Sequence, residues 1–313
     1  MDRLDAMKVF VTALDEGSLA GASRVLGRSP AAVSRAIAFL ENHVGTELLH
    51  RTTRGMRLSP SGERYATACR RILADLDEAA LHAAGERASP RGVLTLSGPP
   101  IAGEEVLRPI IDAFLRAYPQ VSVRLQLVDR HVSLIDEGVD VALRVAELPD
   151  SSLIAVKVGD DVRRVVVASP DYLAAHPEIR EPADLSRHQI VAMSNFGVDS
   201  WTFPPAPGAR AARTVSLSPR IVVNTIRAAL ASASEGMGLT RLYSYHAAEF
   251  VRDGRLVVVL PHDEPRPQPV HLVALPFRIS VPKVRAFIDF AAPRLRTAFS
   301  RLAVEARDMK TGG

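Results

Sequence analysis

The chain has 313 residues, 47% of them hydrophobic and 24% charged, the composition of a folded protein and not of a disordered one. Lys and Arg total 39 against 35 Asp and Glu, so the net charge is only +4 and any basic surface must be local. That length points to about two domains, the single cysteine excludes an internal disulfide, and no apolar run is long enough to span a membrane.

Leu4, Met7, Val9, Phe10, Val11 and Leu14 mark a first amphipathic helix. The start, Met1-Asp2-Arg3-Leu4-Asp5, is not that of a signal peptide, and the chain is expected in the cytoplasm. Residues 18–26 read as a short helix opened by Ser18 and closed by Gly27. Ser29-Pro30 then starts a second helix, with Ser at the cap and Pro where its missing N–H costs nothing. Val33, Ile37 and Leu40 give that helix a buried face, while Ala31, Ser34 and Arg35 stand on the other. Small residues allow a close approach to base edges, and arginine can fork onto guanine or phosphate. A basic hairpin follows, His50-Arg51-Thr52-Thr53-Arg54-Gly55-Met56-Arg57, with Gly55 expected at its tip. Between Arg24 and Arg71 there are nine Arg and three Glu, with no Lys or Asp. Two core helices beside a solvated basic hairpin would be the plain alternative. The caps, the small first turn and the arginine clustering together favour a winged helix-turn-helix that binds double-stranded DNA. Its base-proximal candidates are Pro30, Ala31, Ser34 and Arg35; Ser29 caps the helix, whose free N–H groups can meet a phosphate, Arg28 is expected on a phosphate, and Arg51, Thr52, Thr53 and Arg54 are placed for phosphate or minor groove.

Ser59-Pro60-Ser61-Gly62-Glu63 begins a long helix with Tyr65, Ala68, Ile72, Leu73, Leu76, Ala79 and Ala80 on one side. No partner for this stripe is evident within the small domain, so it is read as a dimerisation helix. Cys69 falls in its pattern and is expected to be buried. Residues 85–92 are a Gly-, Ser- and Pro-containing linker. Strand and helix then alternate: strands at 93–97, 121–128 and 139–145, a helix at 101–118 and a short one at 132–137 closed by Gly138. A second unit of the same kind runs from Arg164, and Pro282 to Phe299 is a C-terminal helix. This alternation implies parallel sheet flanked by helices, in two Rossmann-like units with a ligand cleft.

The chain resembles LysR-type transcriptional regulators over almost its whole length. The resemblance is carried by residues 1–10, by Ser29-Pro30-Ala31-Ala32-Val33-Ser34-Arg35-Ala36-Ile37, by Leu49-His50-Arg51-Thr52-Thr53-Arg54 and by Leu58-Ser59-Pro60-Ser61-Gly62. Further on it is carried by Glu137-Gly138-Val139-Asp140-Val141-Ala142-Leu143-Arg144 and by residues 282–290. It implies an all-α winged helix-turn-helix at 1–58, a dimerisation helix and hinge at 59–90, and a periplasmic-binding-protein-like α/β effector domain at 91–313. The effector domain would have subdomain one at 91–160 and 268–313 and subdomain two at 161–267, with crossovers near 159–163 and 265–269. It also implies a homodimer or homotetramer, a small-molecule effector and no cofactor. The segment Leu239-Thr240-Arg241-Leu242-Tyr243-Ser244-Tyr245 departs from the family pattern, which more often has an apolar strand ending in Pro.

For the effector, Ser97-Gly98-Pro99-Pro100 and Asn224-Thr225 each join a strand to a helix, where N–H donors and a dipole end can meet a ligand. The resemblance implies that these turns line the site. Arg144 and the segment Ser194-Asn195-Phe196 are expected to join them, and two helix N-termini facing each other favour an anion such as a carboxylate. Plain helix caps are the alternative for Ser97 and Asn224. There is no Gly-x-Ser-x-Gly, Gly-x-x-x-x-Gly-Lys or His-Glu-x-x-His, so no enzyme is expected. His262 and His271 stand apart and are read as surface residues with no metal, and Trp201 with Phe203 as a packing pair. A constitutive DNA-binding protein whose α/β part only oligomerises, and a solute-binding or catalytic α/β protein, are the competing readings. The second lacks both export and catalytic signals.

Overall fold

The computed structural model describes residues 2–52, 55–83, 89–130, 132–148, 153–194 and 196–307, which fold into two compact units, Met1–Gly92 and Val93–Gly313. The first unit opens with α1 (Arg3–Asp15), α2 (Leu19–Leu26) and α3 (Pro30–Val44). Local chemistry sets their ends. Ser18 accepts the Gly21 N–H at the start of α2, and Gly27 closes that helix in the left-handed conformation. Ser29 accepts the Ala32 N–H at 3.2 Å, with Pro30 as the first helical residue. Val33, Ile37 and Leu40 of α3 are fully buried with Ala6, Val9 and Phe10 of α1.

The hairpin consists of β1 (Leu49–Thr52) and β2 (Gly55–Leu58). Gly55 pairs with Thr52, so it opens the second strand instead of standing at the tip. Glu41 of α3 accepts the N–H groups of Leu48 and Leu49 at 2.9 and 3.1 Å, which fixes where the hairpin leaves the helix. Next comes α4 (Pro60–Ala83). At Gly62 a Cβ would lie 2.0 Å from the Leu48 carbonyl oxygen, so only glycine lets α4 begin this close to the hairpin.

The structure corrects the expectation that α4 has no partner in its own domain. Ala66, Cys69 and Leu73 are buried in the first unit's core, and the Tyr65 ring lies 6.1 Å from that of Phe10. The residues four apart on the neighbouring stripe, Ile72 and Leu76, remain 38% and 41% exposed. The helix therefore has two apolar stripes, one turned inward and one outward; the side chains of Ala79 and Ala80 lie outside the described residues. Cys69 is fully buried as expected, and burial pushes its thiol up to about 11, so it stays protonated and unreactive.

The second unit begins with β3 (Gly92–Gly98), α5 (Pro100–Ala102), one π turn at Gly103–Leu107 and α6 (Arg108–Ala117). The single helix expected over 101–118 is thus interrupted. Pro109 has no N–H to return to the Glu105 carbonyl, and the chain accommodates this with the wider turn. Then follow β4 (Val121–Leu127), β5 (Val141–Val145) and β6 (Ile154–Val162). The helix expected at 132–137 is only a turn, in which Gly138 takes φ 64° and the Val139 N–H returns to the Leu134 carbonyl.

The middle of the unit holds β7 (Arg164–Ala168), α7 (Pro170–Ala174), β8 (Ile190–Met193), β9 (Ser200–Phe203), β10 (Arg213–Ser216), β11 (Pro219–Val223), α8 (Ile226–Ser234), β12 (Thr240–Tyr243), α9 (Ser244–Arg252) and β13 (Val257–Val259). The chain then returns through β14 (Gln268–Ala274) and α10 (Pro276–Ile279) to α11 (Pro282–Arg307). The first sheet has the order β4-β3-β5-β14-β6, with β3 and β5 parallel and β14 antiparallel to both its neighbours. In the second subdomain β12 and β13 flank β7 antiparallel, and β8 runs parallel to β11. The sheets are therefore mixed, because strands that return from a crossover enter antiparallel. Arg163, between β6 and β7, forks onto Glu264 just before β14, with Nε 2.7 Å from Oε2. Trp201 and Phe203 are buried in one cluster, as the packing-pair reading requires. Among the described residues no helix is long and apolar enough to cross a membrane.

Candidate functional site

The first unit presents Ser29, Pro30, Ala31 and Arg35 as exposed residues at the start of α3, with Ser34 half-buried beside them. Ala31 and Arg35 are four apart and share one face. The helix is firmly seated on its other side, so this face is held in place while Arg35 extends from it. Arg28 behaves differently from its expected role on a phosphate. Its Nη1 and Nη2 donate to the two carboxylate oxygens of Asp5 at 2.8 and 2.6 Å, and this holds the Asp5 carboxyl below its usual range. Ser23 donates to the Arg28 carbonyl, so both ends of the residue brace the turn between α2 and α3. Arg51 and Thr52 belong to β1, but their side chains, and all of Thr53 and Arg54, lie outside the described residues.

The second unit contains a cavity of about 350 Å³. One wall comes from the first sheet and its loops: Ser97 and Gly98 at the end of β3, Pro99 after it, and Arg144 on β5. The opposite wall is aromatic, made of Phe196, Tyr243, Tyr245 and His246. Five of the expected effector residues thus line one space, namely Ser97, Gly98, Pro99, Arg144 and Phe196. Pro100, Ser194, Asn224 and Thr225 are not among its lining residues, and Asn195 lies outside the described residues.

The geometry around Ser97 also differs from expectation. Ser97 is a buried strand residue and caps nothing; Pro99 stands at the cap of α5 and Pro100 follows it. Neither proline carries an N–H, so this turn offers few donors. In the second subdomain the cap of α8 is Thr225, which accepts the Ala228 N–H, while Asn224 is exposed beside it. The start of α8 is not in the cavity lining, and that of α5 reaches it only through its cap, Pro99.

Arg144 supplies the charge. It is half-buried, donates through Nη2 to the Val132 carbonyl at 2.7 Å, and has no carboxylate partner among the described residues. Burial pushes its guanidinium down from the usual value, although arginine remains charged in proteins. Asp129 and Arg130 also line the cavity; burial pushes Asp129 up, and Arg130 forks onto Glu137. On the aromatic wall the Tyr243 hydroxyl donates to the Val145 carbonyl at 3.1 Å, which joins the two walls directly. Burial pushes His246 down to about 3, so its imidazole is neutral throughout the physiological range. Its Nδ1 accepts the Tyr243 N–H, which leaves the proton on Nε2. His271, expected at the surface, is half-buried on β14 opposite Arg144, with a buried Nδ1 that makes no hydrogen bond.

Sequence reasoning missed Tyr243, Tyr245 and His246. The signal that could have found them is the departure at residues 239–245, where polar and aromatic residues replace the family's apolar strand end.

Two family profiles match the chain. The one described as bacterial regulatory helix-turn-helix protein, lysR family, matches residues 4–63, and the LysR substrate binding domain matches residues 87–296. A probable HTH-type transcriptional regulator, LtrA of Klebsiella pneumoniae, is 33% identical over 265 residues, 84% of each chain. The full-length structure of the Vibrio cholerae virulence activator AphB has a TM-score of 0.58 at 28% identity, covering 93% of this chain and 98% of its own. CrgA, a LysR-type regulator of Neisseria meningitidis, has a TM-score of 0.57 at 28% identity with the same coverage.

Proposed function

The chain belongs to the LysR family of transcriptional regulators, a DNA-binding helix-turn-helix joined to an effector-binding unit, and on that footing we propose how it reads DNA and what it senses. It reads its operator with the exposed first turns of α3, through Ser29, Pro30, Ala31, Ser34 and Arg35, and holds phosphates with the hairpin residues Arg51, Thr52, Thr53 and Arg54. Arg28 acts one step back: by pairing with Asp5 it sets the angle at which α3 meets the groove. The family consists of transcriptional regulators, not enzymes.

Replacing Arg35 by Ala is expected to weaken operator binding by about 1–3 kcal/mol while affecting random DNA less. The comparison is a titration of both DNAs at one salt concentration. An equal loss on the two would make Arg35 a phosphate contact and remove it from base readout.

The effector is a small carboxylate held in the cavity of the second unit. The observation that carries this is Arg144, a half-buried cation without a carboxylate partner among the described residues, in the same lining as the Ser97 hydroxyl. A buried charge favours a counter-charge strongly. Asp129 in the same cavity disfavours a second carboxylate, which points to a monoacid, and the aromatic wall suits an apolar or planar body. Binding shifts regulation only through a difference in affinity between closure states, and the walls that close on each other are those joined by Tyr243 and Val145.

The test is a thermal-shift screen of small carboxylates on the full chain, followed by Ser97→Ala. That variant is expected to bind the selected acid roughly five- to tenfold more weakly, the worth of one hydrogen bond, with operator binding in its absence unchanged. Unchanged affinity for the acid, or an effector that proves to be a cation, would remove the site.

A further inference from the structure

We propose that the second subdomain carries a separate site for a doubly charged oxyanion of the phosphate class, held by Arg164 and Arg241. The two arginines lie on paired strands: in the antiparallel ladder of β7 and β12, Arg164 stands opposite Tyr243 and Arg241 opposite Val166. They are therefore diagonal neighbours on one face of the sheet, within reach of each other. Arg241 is 5% exposed, and Arg164 is half-buried. The Nε of each is buried and makes no hydrogen bond. Neither has a carboxylate partner among the described residues. Among the described residues the one side-chain hydrogen bond of Arg164 is a 3.5 Å contact from Nη2 to the Phe196 carbonyl.

What surrounds them is aromatic. The Arg241 guanidinium lies 4.8 Å from the Phe203 ring centre and 5.9 Å from that of Trp201, and Arg164 lies 4.9 Å from Phe196. Ring contacts of this kind offset only a part of what it costs to take a charge out of water, and here two like charges are taken out side by side. Burial first, and the charge of Arg164 second, push Arg241 down to about 10. Two other arginines of the same unit do face a carboxylate: Arg163 faces Glu264, and the buried Arg278 faces Asp140. Arg164 and Arg241 are left without such a group, and a bound anion supplies it.

Charge balance selects the class. Two adjacent cations are neutralised by one dianion, whereas a monocarboxylate leaves one of them uncompensated. Guanidinium forks match the oxygens of a phosphate group. The site is distinct from the effector cavity, since neither arginine is among that cavity's lining residues. Phe196 belongs to both, so the anion would hold one ring of the cavity wall from behind.

The experiment follows thermal unfolding of the full chain against inorganic phosphate, with sodium chloride replaced to keep ionic strength constant, at a pH where phosphate is mostly dianionic. A saturable rise in Tm of several degrees is expected. Sodium nitrate, a singly charged oxyanion, should give no such rise under the same conditions. Arg241→Met should lose the response and melt higher than the unsubstituted chain without phosphate, because a lone buried charge has been removed. Arg164→Met should lose the response as well, and carries the test if Arg241→Met does not fold. Ser97→Ala should retain it, which separates this site from the effector cavity. No rise beyond the chloride control, an equal rise with nitrate, or a rise that survives both methionine variants would overturn the proposal.

Discussion

An Asp140→Ala chain is expected to lose about 3–5 kcal/mol of stability in its second unit, because the change removes the carboxylate beside the buried Arg278 and the acceptor of a buried N–H together. Asp140 is almost fully buried at the end of the turn closed by Gly138. Its Oδ2 accepts the Thr95 N–H of β3 at 2.8 Å, and its Oδ1 lies 3.4 Å from Nη1 of Arg278 on α10. Both side chains of the pair are only 6% exposed, so solvent screens the interaction little. One carboxylate thus joins the first strand of the unit to the segment that precedes its last helix. Urea unfolding followed by circular dichroism measures the effect. Asp140→Ala with Arg278→Met should recover much of the loss, since the pair is then replaced by apolar groups and no charge is stranded. An unchanged midpoint for Asp140→Ala alone would show that Arg278 finds its compensation elsewhere.

Leu76→Lys is expected to separate subunits and to lower operator affinity at least about 100-fold, the usual worth of engaging two half-sites at once. The reason lies in the two stripes of α4. Ala66, Cys69 and Leu73 already satisfy the inward one, while Ile72 and Leu76 stand outward as large apolar residues that water solvates poorly. A second copy of the helix is the occupant we propose, and a lysine at the centre of that seam would place a charge in an apolar interface. Light scattering and operator titration on the same preparation check it. A variant with the mass and affinity of the unsubstituted chain would show that the outward stripe lies outside the subunit interface.

Much of the first unit was legible in its residues. Ser18, Gly27, Ser29 and Pro30 act on backbone groups within a few positions of themselves, so their meaning does not depend on the rest of the chain. The buried face of α3 could be read for the same reason, from a period that any helix imposes. The errors there are the places where a distant residue decides. Arg28 had the position of a phosphate contact, but Asp5 of α1 takes its fork. The α4 stripe looked unpartnered because α1, which covers half of it, lies more than forty positions earlier in the chain.

In the second unit, alternation of strand and helix was enough for the fold class, since that pattern follows from burial period and turn chemistry. Ser97 and Arg144 were also recognisable, as polar residues at strand ends. The aromatic half of the cavity was not. Tyr243, Tyr245 and His246 share a cavity with Ser97 only because β12 pairs with β7, a strand more than seventy positions earlier in the chain. Strand pairing over such separations is set by which faces can be buried together, and no local signal encodes it. The amino-acid sequence by itself therefore determined the helix ends, the basic hairpin and the α/β character of the larger unit, because caps, prolines and periodicity act over one or two turns. Which side chains share a cavity, which arginines find a carboxylate and which face of α4 is left open were decided by tertiary packing, where the partners of a charge or an apolar stripe come from segments far apart in the chain.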